Sequence, residues 1–252
     1  MPSPPRPRRR RLAPTPSYAS VPGWGLIEPP REEDAATDPV AESTDALTRA
    51  MWLVAVVLAA ASAVHVVRYV IAVINRSRPI PVWIDWLSSI AVLVFGLMAL
   101  VGVVVATVSF GRWVREIRTR SFESAGFTDP RRRIVVLALS VIPLVNVIGA
   151  PWLLHEAAVV DRIGDGGRRF RVGIRLAAAW AIVNAVALLA FAYRIAAWTT
   201  DSLQTDADAL ALVAGSLAVS ALFAWWAVPR VERLAGFAED TDISEPRRLV
   251  AA

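Results

Sequence analysis

Ile134 to Leu154 reads IVVLALSVIPLVNVIGAPWLL, with seven arginines in residues 111–133 before it and five in residues 155–175 after it. A membrane crossing needs about 20 apolar residues, so the length of this run suits a span. Its interior does not. Pro143 and Pro151 stand eight residues apart and bracket Asn146 and Gly149. Pro143 removes a backbone donor and clashes with the preceding turn, and Pro151 suits the first turn of a second half-helix. Asn146 and Gly149 are expected in the break. If the run crossed the membrane, the two arginine clusters would lie on opposite sides, against the rule that basic residues stay on the cytoplasmic side. If it enters and returns, all twelve share one side. The run therefore reads as a re-entrant or interfacial hairpin, with a kinked fifth span as the alternative.

The rest of the chain follows from this choice. Hydrophobic residues make up 56% of the 252, above the 45–50% or so of soluble domains, and they are concentrated in long runs. Four runs qualify as spans, at about residues 50–74, 83–110, 176–197 and 207–228. The fold class is an all-α integral membrane protein, with four transmembrane helices plus the broken segment at 134–154. Trp52, Trp83, Trp86, Trp113, Trp180, Trp198, Trp225 and Trp226 fall near the run ends, where an indole has both an apolar and a wet neighbour. Pro229 is expected to stop the last span. Stripes of small residues at four-residue spacing, Ala55/Ala59/Ala63, Ala177/Ala181/Ala185 and Ser216/Ser220/Ala224, are candidate helix contacts.

Flanking the membrane domain of residues 50–229 are two polar segments. Residues 1–49 hold ten of the seventeen prolines and the run Arg8-Arg9-Arg10-Arg11, a composition that reads as a disordered leader. One patch in it, Pro22 to Ile27, is apolar enough to dock on a surface. Residues 230–252 read as a polar tail. Arg230, Arg233, Arg247 and Arg248 join the cytoplasmic set, whereas the outer turns carry only Arg76 and Arg78 and the acids Asp201, Asp206 and Asp208. Both termini are then cytoplasmic and the host is a bacterial plasma membrane. Every basic side chain is Arg, with no Lys, which points to a high-GC genome. The arginines flank apolar runs, so they speak for topology and anionic lipid, not nucleic acid.

Chemistry-bearing residues are few. There is no cysteine and there are two histidines, His65 and His155. That excludes thiol chemistry and argues against a metal site. His155-Glu156 lacks the second histidine four residues away that a zinc-protease helix requires. Ser216 with His65 as base would need a loop-to-helix serine and an oxyanion hole, and mid-span packing explains Ser216 better. No catalytic, cofactor or metal residue is assigned, and no enzyme activity is expected. The polar positions with a structural or functional claim are Arg68, Asp85, Pro143, Asn146, Pro151, Glu156 and Asn184. Arg68 and Asp85 flank the turn between the first two spans and are expected to pair. Arg194 is expected to reach toward Asp201. Asn146 is expected to cap the freed backbone groups of the broken segment, with Asn184 as one partner.

Trp113-Val114-Arg115 at the end of the second span, and Pro143-Leu144-Val145-Asn146 followed by Pro151 and Glu156, give the chain a resemblance. It resembles the actinobacterial membrane family catalogued as domain of unknown function 4328. The leader stretches Pro14 to Tyr18 and Pro22 to Leu26 look like the segment that precedes this domain in mycobacterial relatives, so the resemblance extends over about residues 14–235. It implies a fold and no activity. The functional expectation is a membrane scaffold or regulatory protein with a basic cytoplasmic face for anionic lipid, a membrane protein partner or a second copy. The alternative is a small transporter or channel component built on the broken segment, as discontinuous helices allow.

Overall fold

The computed structural model describes residues 38–161, 168–200 and 202–242. These form six helices: α1 (Pro39–Asn75), α2 (Val82–Ser124), α3 (Arg133–Val141), α4 (Val145–Asp161), α5 (Arg168–Thr199) and α6 (Leu203–Asp242). No strand occurs among the described residues. Four of the helices, α1, α2, α5 and α6, are long and apolar enough to cross a membrane. At about 1.5 Å per residue they run roughly 48–64 Å, beyond the ~45 Å of a bilayer with its headgroups. Each therefore carries a polar extension, and all four extensions gather at one end.

These extensions correct the expected boundaries. Residues 39–49 are the first turns of α1, not part of a loose leader. Asp38 caps the helix by accepting from the Val40 N–H at 3.0 Å, Pro39 occupies the first turn, and Leu47 is buried. At the other terminus, Pro229 does not stop α6, which continues to Asp242. A proline inside a helix costs about 3 kcal/mol or more. Here Val228, Val231 and Leu234 are buried in the core on both sides of it, and their packing offsets the lost hydrogen bond. The leader run Arg8–Arg11, the patch Pro22–Ile27, Asp201 and residues 243–252 lie outside the described residues.

In the bundle, α1 packs on both α2 and α6, and α5 packs on α6, giving the lateral order α2–α1–α6–α5. Ser62 on α1 donates to the Ala214 carbonyl on α6 at 2.8 Å. Of the three expected four-residue stripes, Ser216/Ser220/Ala224 on α6 faces the bundle interior, and the other two are not contact faces. Ala55 and Ala61 are buried, but Ala59 and Ala63 are exposed, and so are Ala181 and Ala185 on α5. With 3.6 residues per turn, a strict four-residue spacing drifts around the helix. The buried face of α1 is instead Val54, Ala55, Leu58, Ala61, Ser62 and His65.

The broken segment is a hairpin of two short helices. Ile142 is extended (φ −68, ψ 122), as the residue before a proline prefers, and Leu144 has φ 66 and turns the chain back. Of the four break residues expected from sequence, only Pro143 lies in the turn. Asn146 is already the second residue of α4, Gly149 is inside it, and Pro151 is in the helix interior, not the first turn. The position of Gly149 has a steric reason. A Cβ there would lie 2.4 Å from the Leu139 carbonyl oxygen, so the backbones of α3 and α4 cross at this point. The hairpin packs on α2 through α3 and on α5 through α4, and α3 to α6 join α1 and α2 in one core around Leu47, Trp113, Leu153 and Val231. The backbones of α2 and α5 do not come together, so a groove separates them beyond the hairpin.

Candidate functional site: an ionic hub under the hairpin

Past Phe110, the face of α2 that looks into the bundle carries Trp113, Val114, Ile117, Arg118 and Ser121. The spacing i, i+1, i+4, i+5, i+8 is that of one buried helix stripe, and it puts a guanidinium where an apolar side chain would be expected. Arg118 has 0% of its surface exposed. A buried charge persists only if it is paired and well hydrogen-bonded, and here two carboxylates pair it and it makes four hydrogen bonds. Nε and Nη2 donate to Asp129 Oδ2 and Oδ1 at 3.0 and 2.9 Å. Nη1 donates to Glu156 Oε2 at 3.0 Å and to the Leu153 carbonyl at 3.2 Å. The Phe122 ring lies 5.4 Å from the guanidinium carbon.

A second arginine completes the hub. Arg131 donates from Nε to Glu156 Oε2 at 2.8 Å and from Nη2 to Oε1 at 2.5 Å, and its amide donates to Asp129 Oδ1 at 2.9 Å. Trp152 Nε1 donates to Glu156 Oε1 at 2.6 Å. Two guanidinium groups and two carboxylates therefore join α2, the 125–132 connection and α4. The planar fork of Arg makes this two-pronged pairing possible, where a Lys would present one point charge.

The hydrogen bonds from Arg131 hold the Glu156 carboxyl down at about 2, against the upward push of burial, with help from the Trp152 N–H and the charges of Arg131 and Arg118. Burial pushes Asp129 up, but the bonds from Arg118 and the Arg131 amide outweigh it and leave it below the ordinary carboxylate range. Arg131 is raised, chiefly by its bond to Glu156. A depressed carboxyl contributes stability above its unfolded value of about 4.5 and loses it as the pH falls toward 2. Acidification across that window should weaken the hub, read as a fall in thermal stability in detergent. Glu156→Gln should be less stable at neutral pH, with a shallower loss below pH 4.5. A parent stability flat from pH 5 to 2.5 would contradict the assignment.

Two further polar clusters brace the ends of α1. Asp38 Oδ2 accepts from Arg120 Nη1 at 2.9 Å, and Trp113 Nε1 donates to Thr44 Oγ1 at 3.2 Å. At the opposite end Arg68 and Asp85 form an ion pair, and Arg68 Nη1 also donates to Ser88 Oγ at 2.7 Å. Asn146 and Asn184 are not brought together. The Asn146 backbone carbonyl accepts from Trp180 Nε1 at 3.1 Å, and Asn184 Nδ2 donates to the Trp180 carbonyl in its own helix at 2.8 Å. Among the described residues the Asn146 side chain has no hydrogen-bond partner, so it does not cap the break. Leu144 and the Asn146 amide, which donates to the Ile142 carbonyl at 2.9 Å, close that turn. His155 packs on Phe170, with ring centres 6.0 Å apart.

Of the hub, sequence reasoning singled out only Glu156. Arg118 and Arg131 entered it as topology charges, and Asp129 and Trp152 were not singled out. The legible signal was the apolar stripe on both sides of Arg118, which continues the pattern of α2 beyond the span.

A family model described as Domain of unknown function (DUF4328) matches residues 76–236. The match covers α2 to α5 and most of α6, and starts later than the resemblance expected at residue 14. No curated protein and no solved structure matches the chain.

Proposed function

We propose that this chain, which belongs to the Domain of unknown function (DUF4328) family, is a scaffold or regulatory protein of the bacterial plasma membrane, with both termini in the cytoplasm and a basic cytoplasmic face that binds anionic lipid. The observation that carries this reading is the reversal at Pro143-Leu144. It returns the chain to the end where α2 finishes, so the arginines on both flanks of the segment belong to one end of the bundle. Arg112, Arg132, Arg133, Arg171, Arg175 and Arg233 have no acidic partner among the described residues. Each contributes roughly 1 kcal/mol of attraction at an anionic surface. The hub makes this end rigid, and a rigid charged platform suits recognition. The transporter reading draws on the groove between α2 and α5. The polar groups on its walls are few, and Thr107 and Asn184 among them are turned onto carbonyls of their own helices, which favours the platform.

Two measurements test the reading. Single cysteines at Ser77 and Gln204 should label from outside intact cells, and one at Thr128 only after permeabilisation; external labelling at 128 would refute the sidedness. In phosphatidylcholine nanodiscs, added phosphatidylglycerol should raise thermal stability, because a ligand that binds the folded state stabilises it. Replacing Arg112, Arg132 and Arg133 by Gln should remove most of that gain. Equal stability of the parent in both lipids would refute the lipid-binding face.

A further inference from the structure

The groove between α2 and α5 is closed at its inner end. There the hairpin fills the gap, and Phe110 and Trp180 stack across it with ring centres 6.1 Å apart and planes 10° apart. From that floor a cavity of about 340 Å³ extends along α2 and α5, backed by α1 and α6. Further out, a second cavity of about 380 Å³ continues beside the same helices. Above the Phe110 floor, the α2 wall positions run from Val92 to Leu97 on the outer cavity and from Val103 to Thr107 on the inner one. From Val92 to Phe110 is roughly 27 Å at about 1.5 Å per residue, close to the ~30 Å hydrocarbon thickness of a bilayer.

The walls are mostly apolar. Thr107 and Asn184 bond within their own helices, His65 Nδ1 lies 2.8 Å from the Ala61 carbonyl, and the hydroxyls of Ser216 and Ser220 on α6 are the other small polar groups on the inner cavity. One charge faces the outer cavity, that of Arg194. Among the described residues it has no acidic partner, and its guanidinium carbon lies 5.8 Å from the Trp198 ring centre, one turn nearer the helix end. The side chain thus rises toward the interface, as a snorkelling arginine does. Gly96 keeps the outer cavity open, since a Cβ there would meet nothing within 4 Å.

An apolar trough of membrane length with a single cation at its outer rim matches a molecule with a hydrocarbon tail and one anionic group. We propose that the groove holds one glycerophospholipid, with acyl chain between α2 and α5 and its phosphate on Arg194. The leaflet it comes from, the outer one, rests on the sidedness proposed above; the occupancy itself does not.

Native mass spectrometry of the full chain, loaded with phosphatidylglycerol or with diacylglycerol of the same chains, tests this. The parent should retain one phosphatidylglycerol per chain and at least tenfold less diacylglycerol, which lacks the phosphate. Gly96→Phe, which fills the trough, and Arg194→Leu should each cut phosphatidylglycerol retention at least tenfold. Arg194→Lys should restore most of it, which shows that loss in the leucine variant is not misfolding. Val101→Phe, at a position 62% exposed on α2 and absent from both cavity walls, should retain it as the parent does. Equal retention by Gly96→Phe, or equal retention of both lipids by the parent, would overturn the proposal. So would a dimer that Gly96→Phe dissociates, because the groove would then be an interface between two copies. Lipid bound in a protein whose Ser77 label is cytoplasmic would refute the sidedness alone.

Discussion

Arg118→Leu is expected to destabilise the protein by about 3–5 kcal/mol, the usual result of removing one partner from a buried ion pair. The guanidinium is fully buried and satisfies Asp129 on two atoms, Glu156 on one and the Leu153 carbonyl. Leucine leaves Asp129 with only the Arg131 amide and removes the link between α2 and α4. Arg118→Lys should fail nearly as badly, since one ammonium cannot reproduce the fork toward Asp129. The double change Arg118→Leu, Asp129→Asn should recover part of the loss by removing the stranded charge, because Glu156 keeps Arg131 as its partner. Thermal unfolding in detergent and in nanodiscs reads all three. A single Arg118→Leu variant as stable as the parent would mean that the hub contributes nothing.

The second large effect is expected at Gly149. Its missing side chain lets α4 pass within touching distance of the Leu139 backbone, and an added Cβ would sit 2.4 Å from that carbonyl oxygen and 2.9 Å from the Leu139 Cβ. Backbone cannot yield as the end of a flexible side chain does, so Gly149→Ala must spread the hairpin. Overpacking of this kind costs typically about 1–3 kcal/mol, and Gly149→Val should exceed it. Gly96→Ala provides the contrast. That position meets nothing within 4 Å, and replacing a helical glycine by alanine gains roughly 0.5–1 kcal/mol. Opposite signs at two glycines of the same chain, measured by unfolding, would separate steric contact from helix propensity. Equal effects would show that α3 and α4 are not in contact at Gly149.

The long-range architecture was legible in one dimension. The number of helices long enough to cross follows from run length, and the break from Pro143 between two arginine clusters. Both are sums over neighbouring residues, and neither depends on which helix meets which. Run ends misled where contacts extend a helix past its apolar stretch. Thr44 and Leu47 look like leader residues until Trp113 of α2 lies against them. Pro229 looks like a stop until the buried Val231 and Leu234 hold α6 beyond it.

By itself, then, the sequence determined that the chain is helical, that four helices are long enough to cross, and that the segment between the second and third is broken. Hydrophobic length and proline chemistry act locally, so a linear reading captures them. Only the tertiary structure decided which polar groups meet. Asn146 and Asn184 sit at plausible depths yet stay apart, while Arg118, Asp129, Arg131 and Glu156 converge from three segments. Pairing between such groups depends on the rotation of each helix about its axis and on the crossing at Gly149. A rotation of one residue, about 100°, would turn Arg118 out of the core and into water.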